Sequence, residues 1–271
     1  MSALSISTAW EETKALLGRD GRLFASVALA LIVLPAAIMG VADPRVNAGD
    51  TAPGWFNLLI FVVSLISLAG QLALIRLAFG PSVTVAAAIS HGFRRLPTYF
   101  LAIFLLTLAV VVVLLPFIFL AVGMGMNIEG GAEAAAVTGP VVFLVIVLAI
   151  AILFLMTRFM VAMPVASTER AGPLAILKRS WALTSGHWGK LFGFVVVFSI
   201  AALITLAAIG VVLGSLTALL FDARGPMTFG ALIESLLSAI VTGALSVIFT
   251  LMLARIYVQL SGRDTIEKAA A

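Results

Sequence analysis

Three arginines stand at matching positions near the ends of long apolar runs. They are Arg76 in the sequence LIRL, Arg158 in MTRF and Arg255 in LARI. A guanidinium at a membrane border either extends its charge to the water or binds a phosphate through its planar fork of N–H donors. The pattern therefore leaves open whether these side chains anchor their helices, bind lipid phosphates, or bind the C-terminal ends of neighbouring helices.

A basic amphipathic segment between Gly172 and Trp188 is a second candidate for chemistry. Arranged as a helix, it carries charge on one half and a tryptophan with four aliphatic residues on the other. The Gly-Pro pair at 172–173 predicts where this helix begins, because proline suits the first helical turn. We expect this elbow helix to lie in the membrane plane and to contact anionic headgroups or a partner protein. Its candidate contact residues are Lys178, Arg179, Trp181 and Trp188.

Two polar residues lie inside apolar runs. If Glu234 lies at membrane depth, it indicates a proton or ion site. If it lies near the outer membrane boundary, close to the helix N-terminus, its negative charge is simply stabilised by the positive end of the helix dipole. Gln71 is a candidate for a hydrogen bond between helices.

Patterns that indicate catalysis or cofactor binding are missing from the sequence. The chain has no cysteine, and its two histidines, His91 and His187, have neither an acidic pair nor metal-ligand spacing. It also lacks a phosphate-binding glycine loop and a serine–histidine arrangement. The sequence therefore predicts no catalytic residue, no metal and no cofactor, which favours a non-enzymatic protein.

The composition requires membrane-spanning helices to position these residues. Hydrophobic residues make up 63% of the chain and charged residues 10%, whereas soluble proteins carry roughly 25% charged residues. The apolar runs lack the alternation of a membrane barrel, so helices are expected. The fold class predicted for residues 1–271 is all-α, a single polytopic membrane helical bundle. Its six spans are expected at about 23–42, 55–79, 98–123, 140–164, 190–220 and 229–257. Gly210 and Gly214 form a GxxxG pattern, which favours close packing of helices within the chain.

The distribution of charge predicts the orientation of the bundle. Of the 16 Lys and Arg residues, 14 lie in the N-terminal segment, the second and fourth connections and the C-terminal tail. Only Arg45 and Arg224 lie in the other three connections. By the positive-inside rule, both termini are cytoplasmic. The same rule accounts for the basic balance of the chain, so no nucleic-acid partner is predicted.

Internal similarity predicts three copies of one unit, an interfacial helix followed by a transmembrane hairpin. The units span about 5–79, 80–164 and 172–257, and Gly80-Pro81 recurs as Gly172-Pro173 at an offset of 92 residues. In the first unit, the sequence from Thr8 to Glu11 fits a capping box that opens a helix.

Residues Arg158 to Trp188 resemble a known membrane domain. The likeness lies in Gly172-Pro173, in the sequence KRSW at 178–181 and in Trp188. The segment is similar to the membrane domain attached to some bacterial glycerophosphodiester phosphodiesterases, which also occurs alone in YciC-like inner-membrane proteins. The resemblance implies a helical domain of the bacterial inner membrane. The phosphodiesterase activity of that family resides in a separate soluble barrel, and because only a short tail, Ser261 to Ala271, follows the last span in this sequence, we expect that barrel to be missing here.

Two functions fit these features. The first is a protein that organises the bilayer or a membrane complex through basic amphipathic segments. The alternative is a transporter or lipid-moving protein with a cavity between repeats, lined by Gln71, Glu234 and the three arginines. The expected partners are the phospholipid bilayer and its anionic lipids, and a membrane-protein partner or a second copy of the chain is left open.

The predicted orientation can be tested with reporter fusions. A phosphatase fused after residue 130 should be active in the periplasm, and one fused at the C-terminus should be inactive, because basic segments stay in the cytoplasm. The opposite pair of activities would contradict the orientation inferred from the basic residues.

Overall fold

A computed structural model describes residues 4–42, 54–80, 83–123, 139–220 and 228–262. The described chain is helical, and its helices are α1 (Ile6–Ala28), α2 (Leu34–Ala42), α3 (Gly54–Phe79), α4 (Val85–Gly123), α5 (Gly139–Phe159), α6 (Ala162–Thr168), α7 (Pro173–Thr184), α8 (Trp188–Leu220) and α9 (Phe229–Ser261). Within these ranges, six helical stretches are long and apolar enough to cross a membrane: α1 with α2, α3, α4, α5 with α6, α8, and α9. The predicted all-α class and six spans are confirmed.

The first span is a bent helix. Its N-cap is Ser5, whose hydroxyl accepts a hydrogen bond from the Thr8 N–H, so the capping box expected to begin at Thr8 is wrong by three residues. Asp20 has non-helical backbone angles and bends α1. A π-helical turn, Leu29–Val33, then joins α1 to α2. Pro35 explains this turn, because its ring and missing N–H disrupt the regular ladder one turn earlier.

The fourth span ends in a short buried helix. The helix is interrupted between α5 and α6, and six of the seven residues of α6 are buried. Pro164 lies in the first turn of α6, where a missing N–H costs no hydrogen bond. The elbow helix is α7, and it begins at Pro173 after Gly172 as predicted.

The three predicted units differ where the interfacial helix meets its span. Only α7 is separated from the span that follows it, by a turn at Gly186, which has a φ of 84°. The equivalent position in the second unit is Arg94, inside the continuous 39-residue helix α4. A positive φ suits glycine and strains arginine, so the helix continues there. Pro81, expected to open the second elbow, lies outside the described residues, and the threefold repeat stays a prediction.

Glycines set the close crossings between helices. A Cβ added to Gly92 of α4 would collide with the Ala69 carbonyl of α3, and one added to Gly70 would lie 2.8 Å from the Leu31 Cβ. The backbones of α3 and α4 therefore touch at Gly92, and Gly70 leaves room for the Leu31 side chain. By contrast, no described residue lies within 4 Å of an added Cβ at Gly210 or Gly214, so the described helices do not pack closely at the GxxxG pattern as expected.

One end of the bundle gathers the two described chain ends. The Ser5 N–H donates to Gln259 Oε1 over 3.0 Å, and Lys190 Nζ donates to the Leu4 carbonyl over 2.9 Å. The arginines discussed below lie at this end, which we call the basic end. Much of the buried core also lies here, around α6 and its neighbours on α3, α4, α7 and α9. Arg45 and Arg224, the two basic residues expected at the other end, lie outside the described residues.

The crossing at Gly92 can be tested by adding one methyl group. Gly92→Ala should lower the free energy of unfolding by roughly 1–3 kcal/mol, the usual cost of overpacking, because a backbone carbonyl stands in the way. The measurement is thermal unfolding in detergent. Gly210→Ala is the matched control and should hold or raise the midpoint, since alanine favours helix and the site is open. Equal midpoints for Gly92→Ala and the unsubstituted protein would contradict the close crossing.

Candidate functional site

Four arginines and a histidine line one cavity at the basic end. Its volume is about 630 Å³, within the range of small-ligand pockets. The cavity lies where the C-terminal part of α3 and the N-terminal part of α4 meet the link between α6 and α7. We call it the arginine cavity, and its lining residues are Arg76, His91, Arg94, Arg95, Ser167, Thr168, Arg170 and Ala171.

A second space shares part of this lining. It has a volume of about 510 Å³ and lies along the N-terminal turns of α4. Arg76, His91 and Arg94 line both spaces. We call the second space the side lobe, and its own lining residues are Val83, Thr84, Ala87 and Ser90.

The four arginines are not neutralised by any residue in the part of the chain that the structure describes. Among the described residues, no carboxylate lies within ion-pair distance of Arg76, Arg94, Arg95 or Arg170. None of the described residues that line the two spaces is acidic. The nearest acidic residue in sequence, Glu169, has its carboxylate engaged elsewhere. The site is therefore a concentration of positive charge that repels itself when empty.

His91 is held as a hydrogen-bond donor. Its Nε2 lies 2.8 Å from the Ser167 carbonyl oxygen, which can only accept, so Nε2 carries the hydrogen. The Ser167 hydroxyl lies 3.4 Å from the same nitrogen and donates to the Leu72 carbonyl over 3.3 Å. Nε2 thus has no lone pair to take the Ser167 proton. This pair binds α4 to α6 and α3, and its geometry does not make Ser167 a nucleophile.

Glu169 fixes the link that carries Arg170. Its Oε1 accepts a hydrogen bond from the Tyr257 hydroxyl over 2.7 Å and from Arg179 Nε over 3.3 Å. Thr168 adds a further bond to the Tyr257 hydroxyl over 3.0 Å. These contacts tie the α6–α7 link to α9 and to the elbow helix. The carboxylate is thereby directed away from the arginine cavity.

Arg158 lies among aromatic rings. Its guanidinium carbon is 5.1 Å from the ring centre of Phe154 and 5.0 Å from that of Trp181, distances at which a cation is attracted to a ring face. Its carbonyl accepts hydrogen bonds from the hydroxyls of Ser180 and Thr184 on the elbow helix. Arg158 therefore joins α5 to the elbow helix and does not reach the arginine cavity.

Arg255 contacts the end of a neighbouring helix. Its Nη2 donates to the Ala78 carbonyl over 3.1 Å. Because α3 ends at Phe79, this carbonyl belongs to the last turn, where carbonyls lack partners within the helix. The three arginines at matching sequence positions thus have three different environments, and only Arg76 lines the cavity.

The candidate residues of the elbow helix also differ from one another. Lys178 is exposed, whereas Arg179 binds Glu169. Trp181 is 41% exposed and packs on Phe159 as well as under Arg158. Trp188 begins α8 and contacts Phe154, with 5.5 Å between ring centres. Lys178 is therefore the basic residue of this helix that stays free for a ligand.

The two polar residues predicted inside spans lie apart from this site. Glu234 is exposed near the start of α9, and its carboxylate accepts a hydrogen bond from Thr217 on α8 over 3.4 Å. Gln71 is half-buried on α3, beside the close contact of Gly70. The structure does not bring Gln71, Glu234 and the three arginines into one cavity.

Sequence reasoning missed most of the arginine cavity. Arg94, Arg95 and Arg170 counted only toward the orientation of the chain, and no site was predicted at His91. The available signal was the Arg-Arg pair at 94–95, two residues after Gly92 and shortly before a long apolar run. The pairing of that turn with Arg170, 75 residues later, depends on how α4 crosses α3.

Residues 4–260 match the model of a protein family described as a domain of unknown function, DUF7847. The chain belongs to this family. No curated protein and no solved structure matches it. The family description carries no activity, so the resemblance of residues 158–188 to the membrane domain of bacterial phosphodiesterases stays a prediction.

The role of Glu169 can be tested by truncation. Glu169→Ala should lower the free energy of unfolding by about 1–3 kcal/mol, because a charge-assisted hydrogen bond to the buried Tyr257 is lost. Thermal unfolding in detergent measures this. The control is Glu11→Ala, whose carboxylate pairs with Lys14 on an exposed surface and should change stability by less than about 1 kcal/mol. A Glu169→Ala protein as stable as the control would show that the link is held by packing alone.

Proposed function

We propose that this protein is a non-enzymatic membrane protein that binds an anionic, phosphate-bearing lipid headgroup in the arginine cavity. By retaining such lipids, it would organise the surrounding bilayer or a membrane complex. The observation that carries the proposal is one cavity lined by four guanidinium groups and, among its described lining residues, no carboxylate.

Phosphate is the anion that suits this lining best. A guanidinium presents several N–H donors in one plane and pairs with two phosphate oxygens at once. A tetrahedral phosphate has enough oxygens to accept from more than one such group. The hydroxyl of Thr168 adds a polar group to the same wall.

The position of the cavity on a spanning helix favours a lipid over a free ion. Arg94 lies on the same face of α4 as Leu101 and Leu108, which follow at intervals of seven residues. These two side chains are about half exposed, at 46% and 50%. A lipid with its phosphate at Arg94 can therefore lay an acyl chain along this apolar face.

The excess of basic residues supports an orientation with the basic end at the cytoplasmic leaflet of a bacterial inner membrane. That leaflet is negatively charged, and each nearby Lys or Arg contributes about 1 kcal/mol of attraction. Anionic lipids would thus be concentrated where the cavity lies.

The geometry gives less support to the alternative of a transporter. A polar route needs side chains that face a common path, but two hydroxyls in the middle of spans donate to their own helices. Ser64 donates to the Ile60 carbonyl and Thr205 to the Ala201 carbonyl, each over 2.8 Å. Such bonds use the hydrogen of the hydroxyl locally, so the group cannot donate it to a solute. Glu234 lies far from the cavity in the fold, at the opposite end of α9 from Arg255.

Lipid retention measured by native mass spectrometry tests the proposal. The double variant Arg94→Gln with Arg95→Gln should retain phosphatidylglycerol at least about tenfold less than the unsubstituted protein, since each charge-assisted hydrogen bond contributes more than about 1.4 kcal/mol. The matched control, Arg19→Gln with Arg22→Gln, removes the same charge from α1, outside both spaces, and should retain the lipid normally. If both variants lost the same amount of bound phosphatidylglycerol, overall charge and not the cavity would explain the binding, and the proposal would be wrong. Unchanged retention in the cavity variant would also refute the proposal.

A further inference from the structure

We infer that the ligand carries two phosphate groups, one in the arginine cavity and one in the side lobe. The inference rests on the proposed function and specifies its ligand. It comes from the shared wall: Arg76, His91 and Arg94 line both spaces, while each space also has polar residues of its own.

The charge of the site calls for more than one phosphodiester. A single phosphodiester brings one negative charge to four guanidinium groups that no described carboxylate neutralises. Two phosphates double the compensation. The electrostatic stabilisation by the second phosphate is larger at the border of a membrane, because like charges are screened less there than in water.

The arginines of the shared wall can bind two phosphate groups at once. A guanidinium has five N–H donors distributed over different edges of a rigid plane. Arg76 and Arg94 can therefore give one edge to a phosphate in the arginine cavity and another edge to a phosphate in the side lobe. Arg95 and Arg170 line only the arginine cavity, so that space takes the more strongly bound of the two groups.

The side lobe has donors of its own for the second phosphate. Thr84 caps α4, since its hydroxyl oxygen accepts the Ala87 N–H over 3.3 Å. That oxygen still has its hydrogen to donate, and the Ser90 hydroxyl lines the same space. The first N–H groups of a long helix also favour an anion at this point. Val83 and Ala87 keep the rest of the wall small and apolar.

The chemical class that combines these features is a lipid with two phosphate groups on one headgroup. Cardiolipin, whose two phosphates are joined by a glycerol, is the probe of this class. Phosphatidylglycerol is the probe with one phosphate, and inorganic diphosphate is the probe with two phosphates and no acyl chain.

The test uses the full chain in detergent and compares lipids at equal phosphate concentration by native mass spectrometry. The unsubstituted protein should retain cardiolipin at least fivefold more than phosphatidylglycerol, and inorganic diphosphate should bind at least tenfold more weakly than cardiolipin. Ala87→Leu fills the side lobe without altering any charge, so it should remove the preference for cardiolipin and leave retention of phosphatidylglycerol unchanged. Ala86→Leu places the same side chain at the neighbouring exposed residue, which lines neither space, and should behave like the unsubstituted protein.

The outcomes separate this inference from the function on which it rests. Equal retention of the two lipids by the unsubstituted protein, or a preference that survives Ala87→Leu, overturns the two-phosphate ligand and leaves a one-phosphate site. Diphosphate binding as tightly as cardiolipin overturns the choice of a lipid. Retention of neither lipid overturns the proposed function together with the inference.

Discussion

The absence of hydrogen-bond partners in hydrocarbon is the constraint on which the structure of this protein depends. It forces the backbone into helices, and it makes hydroxyls such as those of Ser64 and Thr205 bond to their own helices. Charged groups are then confined to the helix ends. At the basic end, the backbone contact at Gly92 brings Arg94 and Arg95 beside Arg76 on α3. The lack of hydrogen-bond partners in hydrocarbon thus leads to a cluster of arginine side chains that come from separate segments of the chain.

The polar contacts around this concentration divide the basic residues into two groups. Arg158 is stabilised by aromatic rings, Arg179 by Glu169 and Arg255 by a helix-end carbonyl. These three groups support the framework, and mutation of any of them would act through stability. The arginines of the cavity have no such partners among the described residues. Their mutual repulsion therefore destabilises the empty protein, and a bound anion would relieve it. This division separates residues that build the fold from residues that are free to bind.

The sequence was sufficient to predict the six spans and the start of the elbow helix at Pro173. Each of these is a local property, fixed by an apolar run or by one Gly-Pro pair. The arginine cavity was not predictable in the same way, because Arg76, Arg94 and Arg170 meet only through the crossing of α3 and α4 and the fold of α6 against them. The matching positions of Arg76, Arg158 and Arg255 were also misleading, since each packs against a different neighbour.

The docking of the chain's beginning onto its end has a consequence for biosynthesis. Ser5 binds Gln259, 254 residues later in the sequence, and Leu4 binds Lys190. A ribosome makes Ser5 long before Gln259, so α1 must wait beside the growing protein until the sixth span has been inserted. The basic end therefore closes only after α9 has been made, and a chain stalled before α9 would expose Leu4, Ala9 and Leu16 to the quality-control machinery of the membrane.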